Sequence, residues 1–179
     1  MNAWRLTGWV CATVVVLSVA ACVLMAIGRS WSLVSVTVTA LDPSKEPSDH
    51  DVPLFRRREA LPDYELSLID DRGHVRYLGV KPDESAAAGL TWRLDAPVSV
   101  SQIAAVRLRE KEMLVSDSIA EVQIVEPPVE SNGYRFSFVT ERSFGAGLQA
   151  FFATPIGIAI AVGFSIAVIL IVIASYIGI

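Results

Sequence analysis

Charged side chains make up only 19% of this 179-residue sequence, and they are confined to its middle. Arg5 is the only Lys or Arg outside residues 29–142, and every Asp and Glu lies inside that interval. Soluble domains carry roughly 25% charged residues, whereas the hydrophobic share here is 53%. The pattern indicates two apolar ends around a polar domain. A net charge of −4 with mixed signs excludes the basic surface of most nucleic-acid-binding proteins.

The first apolar block covers residues 6–28 and predicts a membrane-spanning helix after a short cytoplasmic segment, residues 1–5. A helix of that length measures about 35 Å, enough to cross a hydrocarbon core of about 30 Å. The alternative is a cleaved signal peptide, because Val19-Ala-Ala-Cys22 resembles a bacterial lipobox and would place a lipid on Cys22. Since residues 23–27 stay apolar, we favour the uncleaved anchor.

The second block, residues 143–179, has no charged residue and would measure about 55 Å as one helix, too long for an upright span. Thr154 is a good N-cap and Pro155 is tolerated at a first helical position, so we predict a span over residues 155–179. Residues 143–154 then form an interfacial segment leading into the span. A single tilted helix from Leu148 is the alternative.

Both predicted spans lack Asp, Glu, Lys, Arg and His. Ionisable groups inside a membrane mark ion pathways and proton relays, so their absence argues against a transporter or pump acting alone. Without an intramembrane histidine a haem-type group loses its usual ligand, and we expect no cofactor. Cys11 and Cys22 would face the same side of the first helix, where they act as small hydrophobic residues.

Small residues recur every four positions in the second span, and such spacing lets helices approach closely in lipid. We therefore predict that this span packs against helices of partner membrane subunits, although small residues are common in any membrane helix. The predicted packing residues form two rows, Ala153, Gly157, Ala161 and Ser165, and Ala159, Gly163 and Ala167.

The polar region, residues 29–142, alternates apolar and polar residues as β-strands do. Tyr64–Ile69 and Val75–Val80 flank turn residues and predict a hairpin. About seven or eight short strands separated by turns indicate a β-sandwich. We interpret Asp42–Ala60 and Lys81–Gly89 as loops. The predicted fold is a membrane protein in which two transmembrane α-helices flank an all-β, sandwich-like domain.

One part of this region, residues 90–125, resembles the C2/PLAT class of β-sandwich domains. The resemblance is carried by the segments Trp92–Val98, Ile103–Glu110 and Ser116–Val122. It implies loops that bind calcium or lipid through clustered aspartates, and Asp117 matches one such position. The other aspartates of such a set are not found in the sequence.

Residues for catalysis are scarce. His50 and His74 are the two histidines, and neither belongs to a nucleophile–base motif. No metal-binding spacing, phosphate-binding glycine loop or dinucleotide fingerprint is present. We therefore predict no catalytic or metal-binding residue and no enzyme. The densest charge cluster is Arg56, Arg57 and Arg58, a candidate contact for lipid headgroups or for a partner, and equally a solvated loop.

The favoured function is that of a non-catalytic accessory subunit that assembles or stabilises a larger membrane complex, with a photosynthetic or respiratory complex as one candidate host. The alternative is a membrane-anchored module that binds a ligand, lipid or calcium. Arg5 favours a cytoplasmic N-terminus, whereas Arg29, Arg135 and Arg142 favour the opposite orientation. Because loops beyond about 60 residues cross largely regardless of charge, we expect a two-pass bacterial inner-membrane protein with a periplasmic β domain. A cytoplasmic β domain is the alternative.

Overall fold

The computed structural model describes residues 3–47, 61–111, 117–125 and 128–177. The chain divides into two compact units. The helical unit comprises Met1–Trp31 and Arg142–Ile179, and the β domain comprises Ser32–Glu141. His50 and the Arg56–Arg58 cluster lie outside the described residues.

The helical unit contains three helices, α1 (Ala3–Gly28), α2 (Phe144–Phe152) and α3 (Pro155–Ile177). Two of them, α1 and α3, are long and apolar enough to cross a membrane. The hydroxyl of Thr154 accepts a hydrogen bond from the Gly157 amide at 3.1 Å and so caps α3, whose first residue is Pro155. α2 and α3 are therefore separate helices, in place of one helix from Leu148.

α1 and α3 pack against each other as a hairpin. On both helices the buried and half-buried residues recur three and four positions apart, which places them on one face. The residues on the α1 face are mostly small, whereas the α3 face includes the large side chains of Phe164 and Ile171. The principal residues of the two faces are Gly8, Cys11, Val15, Ser18, Cys22 and Ala26 on α1, and Gly157, Ile160, Phe164, Ala167, Ile171 and Ala174 on α3.

The β domain consists of two four-stranded antiparallel sheets, ordered β4-β1-β8-β7 and β3-β2-β5-β6. The described residues form eight strands, namely β1 (Trp31–Ala40), β2 (Tyr64–Asp70), β3 (Val75–Lys81), β4 (Leu90–Ser99), β5 (Ile103–Glu110), β6 (Asp117–Val122), β7 (Val129–Ser131) and β8 (Tyr134–Arg142). Two apolar helices therefore flank a β-rich domain, which confirms the predicted fold class at this level. The predicted hairpin is also confirmed, because β2 pairs with β3.

Two strands differ from the sequence prediction. The sequence predicts two separate short strands, over residues 90–94 and 98–100, whereas β4 is continuous from Leu90 to Ser99. Because β4 is an edge strand, Pro97 can lie within it although proline lacks a backbone donor. The short strand β7 was not predicted. It pairs with β8 across a turn at Asn132 and Gly133, and both turn residues have positive φ angles.

The core of the β domain is apolar and draws on both sheets. Trp92 of β4 is 3% exposed, and its indole nitrogen donates a hydrogen bond to the Gly79 carbonyl of β3 at 3.1 Å. This bond joins the two sheets. Leu66, Val106 and Phe136 are fully buried, as expected for inward-facing positions of paired strands.

Candidate functional site

The outside of the α1–α3 hairpin is an apolar surface. Only 11% of each candidate span is buried, whereas the core helix of a soluble protein is mostly buried. Large apolar side chains are exposed along both helices, including Trp9, Leu17, Leu24, Ile156, Ile166 and Ile169. Exposed apolar surface of this extent marks a site that lipid or another protein covers.

Three hydroxyl groups on this surface donate hydrogen bonds to carbonyl groups of their own helices. Thr13 donates to the Trp9 carbonyl at 3.0 Å, Ser165 to the Ala161 carbonyl at 2.9 Å, and Ser175 to the Val172 carbonyl at 2.7 Å. A polar group needs such a partner in a medium without water. The outside of the hairpin is thus suited to an apolar environment despite its hydroxyls.

In the hairpin, some residues of the two predicted small-residue rows are buried and others remain at the surface. Gly157 and Ala167 are buried, so part of each row is already covered. The remaining members are half-buried (Ala153, Ala161, Gly163) or exposed (Ala159, Ser165). Only these outer members of the rows are therefore accessible at the surface of the hairpin.

Gly157 and Gly163 have different surroundings. A Cβ atom at Gly157 would overlap the carbonyl group of Phe151 in the preceding helix, so this glycine is needed for the corner between α2 and α3. At Gly163, a Cβ atom would meet no atom within 4 Å among the described residues outside its own helix. Gly163 is therefore a glycine at which a Cβ atom can be added without contact to the described residues outside its own helix.

A third glycine, Gly147 of α2, was not among the predicted packing residues. A Cβ atom there would overlap the Ala26 carbonyl oxygen and come within 3.1 Å of the Ser30 amide nitrogen. Close approach of α2 to the end of α1 therefore requires glycine at this position. The sequence shows the glycines at 145 and 147 but not which of them meets another backbone.

Two arginines lie at this end of the hairpin, each over an aromatic ring. The Arg142 guanidinium carbon is 5.2 Å from the ring centre of Trp31, and that of Arg29 is 6.0 Å from the ring centre of Phe151. The Ser143 amide donates to the Ser30 carbonyl at 2.7 Å and holds the two chain segments together. We call Arg29, Trp31, Arg142 and Phe151 the collar.

A polar cluster with a buried part is built around Glu46 in the β domain. Its carboxylate accepts hydrogen bonds from the Tyr64 hydroxyl at 2.8 Å, the Ser85 hydroxyl at 2.7 Å and the Ala86 amide at 2.9 Å. The Tyr64 hydroxyl also lies 2.9 Å from the Tyr134 hydroxyl. Because the single proton of Tyr64 goes to Glu46, Tyr134 donates to Tyr64. The cluster thus connects the loop that contains Glu46 and the loop that contains Ser85 to the buried Tyr64.

Both tyrosines of the cluster are kept neutral. Burial, followed by the hydrogen bonds with Tyr134 and Glu46, raises the pKa of Tyr64 far above its ordinary value. Burial also raises the pKa of Tyr134, to which the negative charges of Glu46 and Glu110 add. A phenol with a raised pKa is a poor base or nucleophile at neutral pH. The geometry therefore favours a structural role for this cluster.

Replacing Tyr64 by phenylalanine should destabilise the β domain by about 1–3 kcal/mol, because Glu46 loses a donor and Tyr134 loses its acceptor. Chemical denaturation of the full chain in detergent, followed by near-ultraviolet circular dichroism, measures the change. Tyr77→Phe is the matched control, since the Tyr77 side chain is 60% exposed on β3, and we expect less than about 0.5 kcal/mol there. Equal effects of the two substitutions would contradict the proposed hydrogen-bond chain.

His74 lies in the turn between β2 and β3, where its side chain is 75% exposed. The Asp70 carboxylate is hydrogen-bonded to the His74 ring nitrogen at 2.9 Å. It also accepts hydrogen bonds from the backbone amides of Arg72 and His74. The hydrogen bond from His74 is the main reason that the pKa of Asp70 is lowered. The stabilisation that ionised Asp70 gives to the folded state is therefore complete above the ordinary aspartate pKa. It is lost as the pH falls through the lowered pKa of Asp70. The role of His74 is therefore to stabilise the turn between β2 and β3.

Among the described residues, no three His, Cys, Asp or Glu side chains are grouped as a metal site would require. Asp117 begins β6, opposite Glu110 of β5. Comparisons with protein-family models, curated proteins and solved structures found no match to this chain.

Proposed function

We propose that this chain is a two-pass membrane protein that acts as a non-catalytic accessory subunit of a larger membrane complex. The observation that carries the proposal is the hairpin of α1 and α3, whose outer apolar surface is exposed and whose helical segments between Arg5 and Arg29 and after Arg142 lack charge. In lipid such a surface is covered by acyl chains and by partner helices.

The hairpin leaves a defined surface for a partner. The half-buried and buried residues of α1 are mostly small, and on α3 Gly157 and Ala167 are already buried. Ala159, Gly163 and Ser165 remain at the outside or edge of this contact, where a partner helix can approach α3 closely. We propose that association with the host complex uses this side of α3, and that the fully hydrogen-bonded cluster of the β domain maintains a rigid fold outside the membrane.

For orientation, we propose a bacterial inner membrane with the β domain in the periplasm and Arg5 on the cytoplasmic side. The short N-terminal segment supports this placement, because short flanking segments follow the positive-inside tendency more closely than long domains do. The Arg56–Arg58 cluster remains a proposed contact for lipid or a partner. A cytoplasmic β domain is the alternative, and protease protection of the β domain in spheroplasts distinguishes the two.

The test of assembly is Gly163→Leu in the full chain, purified from native membranes in mild detergent. We expect the variant to lose its co-purifying subunits while both units stay folded, because the added side chain fills the surface that the partner helix needs. Gly145→Leu is the matched control: it adds the same side chain at an exposed glycine of α2, where a Cβ atom meets nothing within 4 Å among the described residues outside its own helix, and we expect the complex to survive.

Joint replacement of His50 and His74 by alanine should leave assembly intact. If Gly163→Leu stays bound to its partners while the double histidine variant loses a measurable activity, the proposal is wrong and an enzyme must be considered.

A second candidate function follows from the end of the β3-β2-β5-β6 sheet. Glu110 pairs with Asp117, and the Asp63 carbonyl accepts the Lys111 amide at 2.8 Å, so acidic residues share one end of the sheet. A C2/PLAT-like module would bind calcium at such an end. Calcium titration monitored by thermal unfolding separates the two functions: the accessory-subunit proposal predicts no shift, and a saturable rise that Asp117→Asn abolishes would favour the module.

A further inference from the structure

The exposed side of α2 is divided between an apolar stripe and a polar edge. Phe144, Leu148 and Phe152 follow one another at four-residue intervals, which places them on one side of the helix. Phe144 is 50% exposed and Phe152 is 38% exposed, and Leu148 between them is half-buried. Gly145 and Gln149 are exposed on the adjoining side. We call Phe144, Leu148 and Phe152 the α2 stripe.

The other side of α2 is already occupied. Its buried residues are Ala146, Gly147, Ala150 and Phe151 of the collar. Gly147 lies against the backbone of Ala26, close to the end of α1. Because this side packs within the helical unit, the α2 stripe belongs to the surface of the unit and not to its interior.

The level of α2 along the hairpin matches a membrane boundary. Trp9 of α1 is 74% exposed, and exposed tryptophan side chains favour the membrane–water interface. About 26 Å of helix separates Trp9 from Ala26, the residue that Gly147 meets. A hydrocarbon core is about 30 Å thick. With Trp9 at one boundary of the core, α2 therefore lies close to the other boundary.

The chemistry of the exposed side fits such a boundary. The α2 stripe can enter the acyl chains, whereas the exposed amide of Gln149 needs hydrogen-bond partners that water and headgroups supply and hydrocarbon lacks. A helix divided in this way lies in the plane of the interface, with its apolar face about 5–10 Å inside the boundary between headgroups and acyl chains. Since α2 has no charged residue, its contact with lipid does not depend on the charge of the headgroups.

We propose that α2 is an interfacial helix whose stripe binds the acyl-chain boundary of the lipid bilayer, at the end of the hairpin where α1 ends, while Gln149 is directed to headgroups and water. This inference rests on the proposed membrane insertion of the hairpin. It adds a lipid contact on a helix that is too short to cross the membrane, and it identifies acyl chains as the ligand.

Accessibility of nitroxide labels on the full chain tests this orientation. Cys11 and Cys22 are replaced by alanine, and one label is placed at Leu148, Gln149 or Ile166 in phosphatidylcholine liposomes. We expect the ratio of oxygen accessibility to nickel accessibility to be about threefold higher at Leu148 than at Gln149, because two sides of a helix about 10 Å wide lie at different depths. The Ile166 label reports insertion of the hairpin, since this residue is exposed on α3.

Removal of the two aromatic side chains should abolish this difference. In Phe144→Ser with Phe152→Ser, the stripe loses most of its apolar surface, so we expect the ratio at Leu148 to fall to the value at Gln149. Gly145→Ala, on the polar edge of the same helix, is the matched control and should leave the difference unchanged. Circular dichroism shows whether the serine variant keeps its helices, and if it does not, the comparison of Leu148 with Gln149 in the unsubstituted stripe is sufficient.

Three results would overturn the inference. The first is an equal ratio at Leu148 and Gln149 in a protein whose Ile166 label is accessible to oxygen and not to nickel, which leaves the proposed function standing. The second is low accessibility to both reagents at Leu148, which would show that a second protein chain covers the stripe. The third is a difference that appears only when phosphatidylglycerol is added, which would make headgroup charge the ligand. High nickel accessibility at Ile166 would instead contradict the proposed function itself.

Discussion

Replacing Trp92 by alanine is expected to destabilise the β domain by about 3–5 kcal/mol, the usual cost of removing a large buried aromatic side chain. Trp92 is 3% exposed and donates its indole N–H to Gly79 across the two sheets. The substitution therefore removes both core volume and a link between the sheets. Chemical denaturation of the full chain in detergent, monitored by near-ultraviolet circular dichroism, measures the loss.

Two further variants separate these contributions. Trp92→Phe keeps most of the ring but leaves the Gly79 carbonyl without its donor, so we expect a loss of about 1–3 kcal/mol. Tyr77→Ala, at an aromatic side chain that is 60% exposed on β3, should cost much less than Trp92→Ala. A loss below 1 kcal/mol for Trp92→Ala would contradict its place in the core.

Replacing Gly147 by alanine is expected to force α2 away from the end of α1 and to destabilise the helical hairpin by about 3 kcal/mol, the upper range for overpacking. The cost is high because the new methyl group would meet the backbone of Ala26 and Ser30, which cannot turn aside as a flexible side chain can. Loss of helical ellipticity with temperature, measured in a fixed detergent, reports the change.

Gly145→Ala is the control for Gly147→Ala because it lies on the same helix. A Cβ atom at position 145 meets nothing within 4 Å among the described residues beyond its own helix. Alanine is the better helix former by about 1 kcal/mol, so this variant should be neutral or slightly stabilising. If the two variants melt at the same temperature, the close approach of α2 to α1 does not occur.

Local patterns were sufficient to predict much of the fold. The alternation in residues 64–80 predicted the β2–β3 hairpin, and the charge-free blocks predicted the two long apolar helices. Thr154 caps α3 through a contact only three residues away. In each case, the physical signal lies within a few residues of the element that it produces.

The contacts that build the candidate sites are mostly long-range, and spacing alone did not reveal them. Glu46 bonds Tyr64 and Ser85 across intervals of 18 and 39 residues. Gly147 meets Ala26 only because the chain returns to α1. The small-residue rows of α3 indicated close packing but not which members face α1, since that depends on how α1 is rotated.

The central claim is that the outside of the α1–α3 hairpin lies in a lipid bilayer. Nitroxide labels at Ile158, Ile166 and Ile173, exposed positions along α3, test it in liposomes after Cys11 and Cys22 are replaced by alanine. We predict that accessibility to oxygen is highest at Ile166, near the middle of α3, and that accessibility to a water-soluble nickel reagent is lowest there. High nickel accessibility at all three positions would contradict the account.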